Sequence, residues 1–302
     1  MIANKNKIRR SDELWGTVFA GIPVLAMIVF TYVPIGFALV MSFMDVPYGI
    51  IENAKMLPIK NFFGNYVDVL KDEYFWKALL NNVILMLELP VSIAISVVIA
   101  ELLTKKLPGT KFFKVLLFVP YVCSVTATTF MWNWLLNSQY GIVNRIFGLG
   151  DFNWFSPDNF IWSIMIMGVW STCGYRILLF TAALTNVNSS LKEAAELDGA
   201  NAWHKLLSIT IPMSTPIIFY NLITGIIGSL QVNSSLIVGG AEGRGVGDSL
   251  YFVAIKIYNE AFGGSYNMGY ASAYAWVLFV FIALLTFLVF KKSKWVFYGE
   301  EG

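Results

Sequence analysis

Apolar residues along this chain gather into six long runs, separated by segments where charge and polarity return. The runs are Trp15–Phe43, Trp76–Leu103, Phe112–Leu136, Phe160–Leu184, Met213–Gly239 and Met268–Phe290. A helix rising about 1.5 Å per residue needs roughly 20 mostly apolar residues to cross the hydrocarbon core of a bilayer. Each run reaches that length, and none alternates strictly as an outer-membrane barrel strand does. The pattern predicts an all-α membrane protein with six transmembrane helices. The first run is too long for a signal-peptide core and no small-residue cleavage pattern follows it, so it is expected to persist as a span. Only residues 1–14 precede it, so no further span is expected upstream.

Composition supports a bilayer as the solvent. The chain is 57% hydrophobic and only 13% charged, about half the charge of an ordinary soluble chain. A net charge of +2 is too small to suggest nucleic acid as a partner. Cys123 and Cys173 both sit in apolar runs and read as buried free thiols rather than a disulfide framework. With His204 the single histidine, no metal site is expected.

Basic residues give the direction of the spans. Lys5, Lys7, Arg9, Arg10, Lys105, Lys106, Lys111, Lys114, Lys192, Lys205, Lys291, Lys292 and Lys294 fall on one side. The other side has seven, spread over longer segments (44–75, 137–159 and 240–267) and balanced by ten acids. Both termini (1–14 and 291–302) and the 186–212 loop are thus expected in the cytoplasm, and the protein in the cytoplasmic membrane. The Arg9-Arg10 pair is read as positive-inside anchoring, not as a twin-arginine signal, because a full span follows. The run Gly239-Gly240-Ala241-Glu242-Gly243-Arg244-Gly245-Val246-Gly247 lacks the Gly-Lys-Ser/Thr of a phosphate loop and reads as a flexible external loop. No such nucleotide signature occurs elsewhere, so any ATP that drives this protein must bind to another chain.

Polar groups within the runs are expensive in lipid and raise functional questions. Glu88, followed by Pro90, lies in the second run and Arg176, beside Tyr175, in the fourth. Their depths are comparable. An ion pair between them is one reading; the other is that each meets a backbone carbonyl or a partner subunit. Gln231, Asn233 and Ser234 form a polar patch on the fifth run. With Asn133, Trp134 and Tyr175 they suit a path for a hydrogen-bonding, ring-stacking solute such as a carbohydrate, although such residues also serve as packing glue. Glu101, near the end of its run, reads as interfacial.

The segment Ser190–Pro212 reads as a short helix, a glycine break, a second short helix and a stop at proline. Ser190 with Glu193 fits a capping box, and Gly199 can take the positive φ that ends a helix. On local physics this is a capped hairpin joining two spans. Its spacing says more: Glu193-Ala194-Ala195, three residues, Gly199, nine residues, Ile209, two residues, Pro212. This resembles the EAA loop of bacterial ABC importer permeases, with Ile211 where the pattern usually has Leu. The form Glu-Ala-Ala-Glu-Leu-Asp-Gly-Ala is similar to the carbohydrate, maltose-type branch. Weaker likenesses run in order from residue 60 to 290: Asn61-Phe62, Asn65-Tyr66, Asp72, Phe75-Trp76, Asn81-Asn82, Pro120, Trp132–Trp134, Gly141–Asn144, Trp170, Ala182–Leu184, Gly239-Gly240 and Gly269–Ala271.

The resemblance implies a cytoplasmic coupling helix between the fourth and fifth spans, docked on an ATPase through Glu193, Ala194, Ala195, Asp198 and Gly199. It implies a second homologous permease, two ATP-binding subunits that carry ATP and Mg, and an extracytoplasmic solute-binding protein. No cofactor and no catalytic residue are expected in this chain. A carbohydrate is the expected solute; glycerol phosphate or a peptide is the alternative within the superfamily, and a stand-alone secondary transporter the alternative outside it.

Overall fold

The computed structural model describes residues 2–105, 108–187, 189–232, 244–263 and 266–296. Among these the chain is almost entirely helical, with one two-residue antiparallel pairing, Met44 opposite Met56 and Asp45 opposite Lys55. Four helices are long and apolar enough to cross a membrane: Trp15–Met41, Glu73–Thr104, Phe160–Thr185 and Met268–Lys291. Two bent pairs bring the number to six if each pair counts as one span. Helices suit this environment because they satisfy every backbone polar group within one segment.

Two of the predicted runs are not straight. Phe112–Leu136 is two helices, Thr110–Val122 and Val125–Leu135, bent by 99°. Pro120 lacks a backbone donor and crowds the carbonyl four residues earlier, and the Ser124 hydroxyl starts a new helix by accepting from the Ala127 amide at 3.2 Å. Cys123 lies in this break and is exposed, while Cys173 is half-buried, so two fully buried thiols are not what forms. The expected stop at Pro212 is also absent. Ala202–Met213 continues through a π-helical turn at Leu206–Thr210, and the 66° bend comes at Ser214, ahead of Thr215–Leu230. The wider turn relieves the clash that Pro212 would make with the preceding coil.

The chain divides into two units. The first comprises Met1–Lys71 with Asn259–Val277. Its long helix also widens into a π turn, Ile28–Tyr32, just ahead of Pro34. Beyond it the rings of Phe43 and Phe62 stack at 4.5 Å. Asn65 ties this turn by donating to the carbonyls of Ser42 (2.9 Å) and Met44 (3.0 Å). Gly269 lets the last long helix press against the Met44 carbonyl, where a Cβ has no room.

The second unit, Asp72–Tyr258 with Leu278–Gly302, contains the candidate site. Asp72 caps the Glu73–Leu85 helix through the Tyr74 amide at 2.8 Å. The helix breaks at Met86 and Leu87, four and three residues before Pro90, and resumes as Glu88–Thr104. That second half packs along Phe160–Thr185 with small residues at the contact: Ser92, Ser96 and Ala100 are fully buried. Such residues allow the close approach on which helix association in lipid depends. At one end, Asn82 donates to the Ser229 carbonyl at 2.7 Å and accepts from the Val253 amide at 3.0 Å. At the other, Ile93, Val97, Phe180, Leu184 and Leu206 form an apolar cluster.

Candidate functional site

Two features stand out, both within the second unit: the segment between Phe160–Thr185 and Thr215–Leu230, and a buried polar cluster between Glu88–Thr104 and Phe160–Thr185.

The first loop helix is Ser189–Leu197. It begins one residue ahead of Ser190, beside the predicted start. Its end follows the expectation. Gly199 has φ +79°, its amide donates to the Glu196 carbonyl at 3.0 Å, and the Ala200 amide reaches back to Ala195 at 2.8 Å. This pair of bonds is the Schellman arrangement, which needs a left-handed residue just past the helix. A Cβ on Gly199 would meet nothing within 4 Å, so glycine is required by conformation and not by space. Asn201 then accepts from the His204 amide at 2.8 Å and starts the second helix. Both breaks are thus pinned by hydrogen bonds.

Ser190, Glu193, Ala194 and Leu197 form one exposed stripe at helical spacing. Asp198 and Gly199 are exposed at its end and Ala195 is half-buried. Leu197 is 90% exposed and Trp203 63%, an apolar presentation that the sequence reading missed. The signal for Leu197 was available, since it falls four residues after Glu193 and three after Ala194 on the same face.

The inward face is polar and braced. Lys192 Nζ lies 3.0 and 2.9 Å from the two carboxylate oxygens of Glu101, and the Thr210 hydroxyl donates to the same carboxylate at 3.0 Å. Glu101 is therefore not merely interfacial: it is bound by both halves of the loop. Lys205 donates to Glu196, and this bond, with the lysine's charge, holds the Glu196 carboxyl below its usual range. The contact contributes above the ordinary carboxylate pKa and fades as pH falls through the lowered value. A cavity of about 630 Å³ lies behind the loop, lined by Glu101, Lys105, Lys192, Trp203 and Leu206 among others.

The second feature brings Glu88 and Arg176 together, with Nη1 and Oε1 3.6 Å apart and both side chains buried. Thr172 stands between them, accepting from Arg176 at 2.8 Å and within donating distance of Glu88 at 2.9 Å. Ser92 also accepts from Arg176. Gly168 faces the carboxylate, where a Cβ would collide with it. Glu88 lies on the wall of two cavities, one of about 800 Å³ flanked by Trp132, Trp162 and Trp170, the other of about 340 Å³ with Tyr121, Thr128 and Thr129.

Tyr175 stacks on Tyr121, centroids 5.0 Å apart at 19°. Gln231 ends the Thr215–Leu230 helix and is exposed. Asn133 and Trp134 lie on Val125–Leu135, half-buried and exposed respectively. Among the described residues, none of these three hydrogen-bonds the tyrosine cluster. Asn233 and Ser234 lie outside the described residues, as does most of the 239–247 glycine run. No group of three or more metal-ligating side chains occurs among the described residues.

Comparison with known proteins gives this arrangement a context. Over 306 aligned residues, covering 98% of this chain and 96% of the relative, the sequence is 30% identical to the probable ABC transporter permease protein YesP of Bacillus subtilis (strain 168). It is 28% identical to the lactose transport system permease protein LacF of Rhizobium radiobacter, over 96% of this chain and 98% of that one. The fold matches a chain of a bacterial ABC transporter involved in the import of the acidic polysaccharide alginate, with TM-score 0.78 at 19% identity, over 98% of this chain and 100% of that one. The family of binding-protein-dependent transport system inner membrane components matches residues 4–291, and the chain belongs to it, as a permease subunit of an ABC-type solute importer.

Proposed function

We propose that this permease imports a carbohydrate and that its 186–212 loop is the docking element for a separate ATPase. The observation that carries the reading is the loop itself, a stripe of Glu193, Ala194 and Leu197 held outward on a helix whose C-terminal end is fixed by hydrogen bonds. Rigid elements of this kind transmit a two-state change between sites. The excess of Lys and Arg on that side of the membrane supports a cytoplasmic loop and cytoplasmic termini. Two ATPase subunits carrying ATP and Mg, a second homologous permease and an external solute-binding protein complete the assembly. Closure of the ATPases swings the spans between inward-facing and outward-facing states, and the solute passes chemically unchanged.

A sugar suits the aromatic and hydroxyl groups at the fourth span. Tyr121 and Tyr175 offer ring faces, with Thr128, Thr129 and Thr172 nearby as hydrogen-bonding groups. The lactose permease among the relatives points the same way. Deleting the gene and measuring uptake of radiolabelled mono- and oligosaccharides, glycerol phosphate and peptides tests this. Loss confined to one or a few sugars is expected; sugar uptake left intact overturns the carbohydrate assignment.

A further inference from the structure

The three contacts on Glu101 have a mechanical meaning that the exposed face of the loop does not supply. Both ends of the loop run covalently into the fourth and fifth spans, but nothing in the chain's connectivity joins it to the second. Glu101 makes that join. It sits in the last turns of the Glu88–Thr104 helix, just past Val97 and Ala100, which pack with Phe180, Leu184 and Leu206 in the apolar cluster. Its carboxylate takes Lys192 from the first loop helix and Thr210 from the π turn. Both charged groups of the pair are partly shielded, with 24% of the Lys192 side chain and 17% of the Glu101 side chain accessible. A charge-assisted pair of this kind is shorter and stronger than a neutral bond, and its apolar floor limits competition from water.

We propose that Glu101 is the positioning residue that locks the loop to the second span, so that a push on the loop moves the second, fourth and fifth spans as one body. The proposal deepens the docking reading and rests on it for the direction of the stroke, though the clamp itself is a property of this chain alone. Glu101 holds the inward face of the loop, not its exposed stripe. Its removal therefore leaves ATPase binding in place and separates it from movement of the spans. The Glu88–Arg176 cluster lies at the other end of the same helix, so the segment that Glu101 captures is already tied to the fourth span.

The test uses the whole complex purified from membranes, with four variants: Glu101→Gln, Glu101→Lys, Lys192→Glu, and the double exchange Glu101→Lys/Lys192→Glu. Two readouts are taken: amide hydrogen exchange across residues 189–213, and ATP hydrolysis compared with uptake of the solute that wild-type cells accumulate. Either charge reversal alone is expected to speed loop exchange about tenfold and to lower uptake per ATP by a similar factor. ATPase retention stays at the wild-type level. Glu101→Gln, which keeps the shape and cannot misfold through a buried like charge, gives the same direction with a smaller effect. The double exchange recovers most of both losses, which a loss of general stability would not allow. Single reversals that leave exchange and uptake within about twofold of wild type overturn the proposal, as does a double exchange no better than either single one. If the wild-type complex holds no ATPase, the docking reading fails instead, and loop exchange still decides whether the clamp exists.

Discussion

Arg176→Met is expected to lower the stability of the purified protein by about 3–5 kcal/mol. The loss does not come from the attraction of the pair alone. Removing the guanidinium leaves the Glu88 carboxyl without its counter-charge in a site where its side chain is 10% accessible, with Thr172 as its remaining hydrogen-bond donor among the contacts described. An uncompensated buried charge is more costly than a pair that was never made. Glu88→Gln is milder, about 1–3 kcal/mol, because Arg176 keeps Ser92 and Thr172 as acceptors. Replacing both, as Glu88→Leu with Arg176→Met, restores much of the stability, since apolar residues of similar volume substitute well for a buried pair. Thermal unfolding in detergent, followed by helical circular dichroism, measures all three. An Arg176→Met protein that melts with wild type would show that the pair is not closed in the folded protein.

The second large effect belongs to the exposed stripe. Glu193→Lys reverses the charge at its centre, and Leu197→Asp puts a carboxylate where a 90% exposed leucine is presented. If the stripe is the docking face, each change strikes the middle of an interface, where single residues carry about 2–4 kcal/mol. Capture of the ATPase by the permease then falls at least thirtyfold or so and solute uptake is lost, while the melting of the permease barely moves, because exposed substitutions shift stability by about 0.5 kcal/mol or less. Pull-down of the ATPase on the tagged permease, with a melting curve on the same preparation, separates lost docking from lost folding. Unchanged capture in both variants moves the docking face elsewhere.

Different parts of this molecule were legible in the sequence to different degrees. The long runs 160–184 and 268–290 are nearly the helices observed, because twenty apolar residues in lipid have few alternatives. The bends at Cys123 and Ser214 were not legible. Proline marks each neighbourhood, but whether a helix widens, kinks or breaks there depends on which carbonyl can be resatisfied by a neighbour. Gly199 was readable because its conformation is local, whereas Glu101 was not. Its partners Lys192 and Thr210 lie 91 and 109 residues away, and no periodicity connects them. The Glu88–Arg176 pair depended in the same way on helix rotation, set here by Gly168 making room for the carboxylate. Several of the short patches of family likeness serve as scaffold: Asn65, Asn82 and Asn144 each donate to backbone carbonyls.

The claim on which the rest depends is that the outward face of the loop meets an ATPase. A photo-activated cross-linking residue in place of Leu197, irradiated in living cells, tests it most directly, with the captured partner identified by mass spectrometry. The account predicts a single dominant adduct with a cytoplasmic subunit that carries a Walker phosphate loop, lost when Glu193→Lys is introduced in the same chain. Adducts with lipid or with proteins outside the cytoplasmic membrane alone would contradict it.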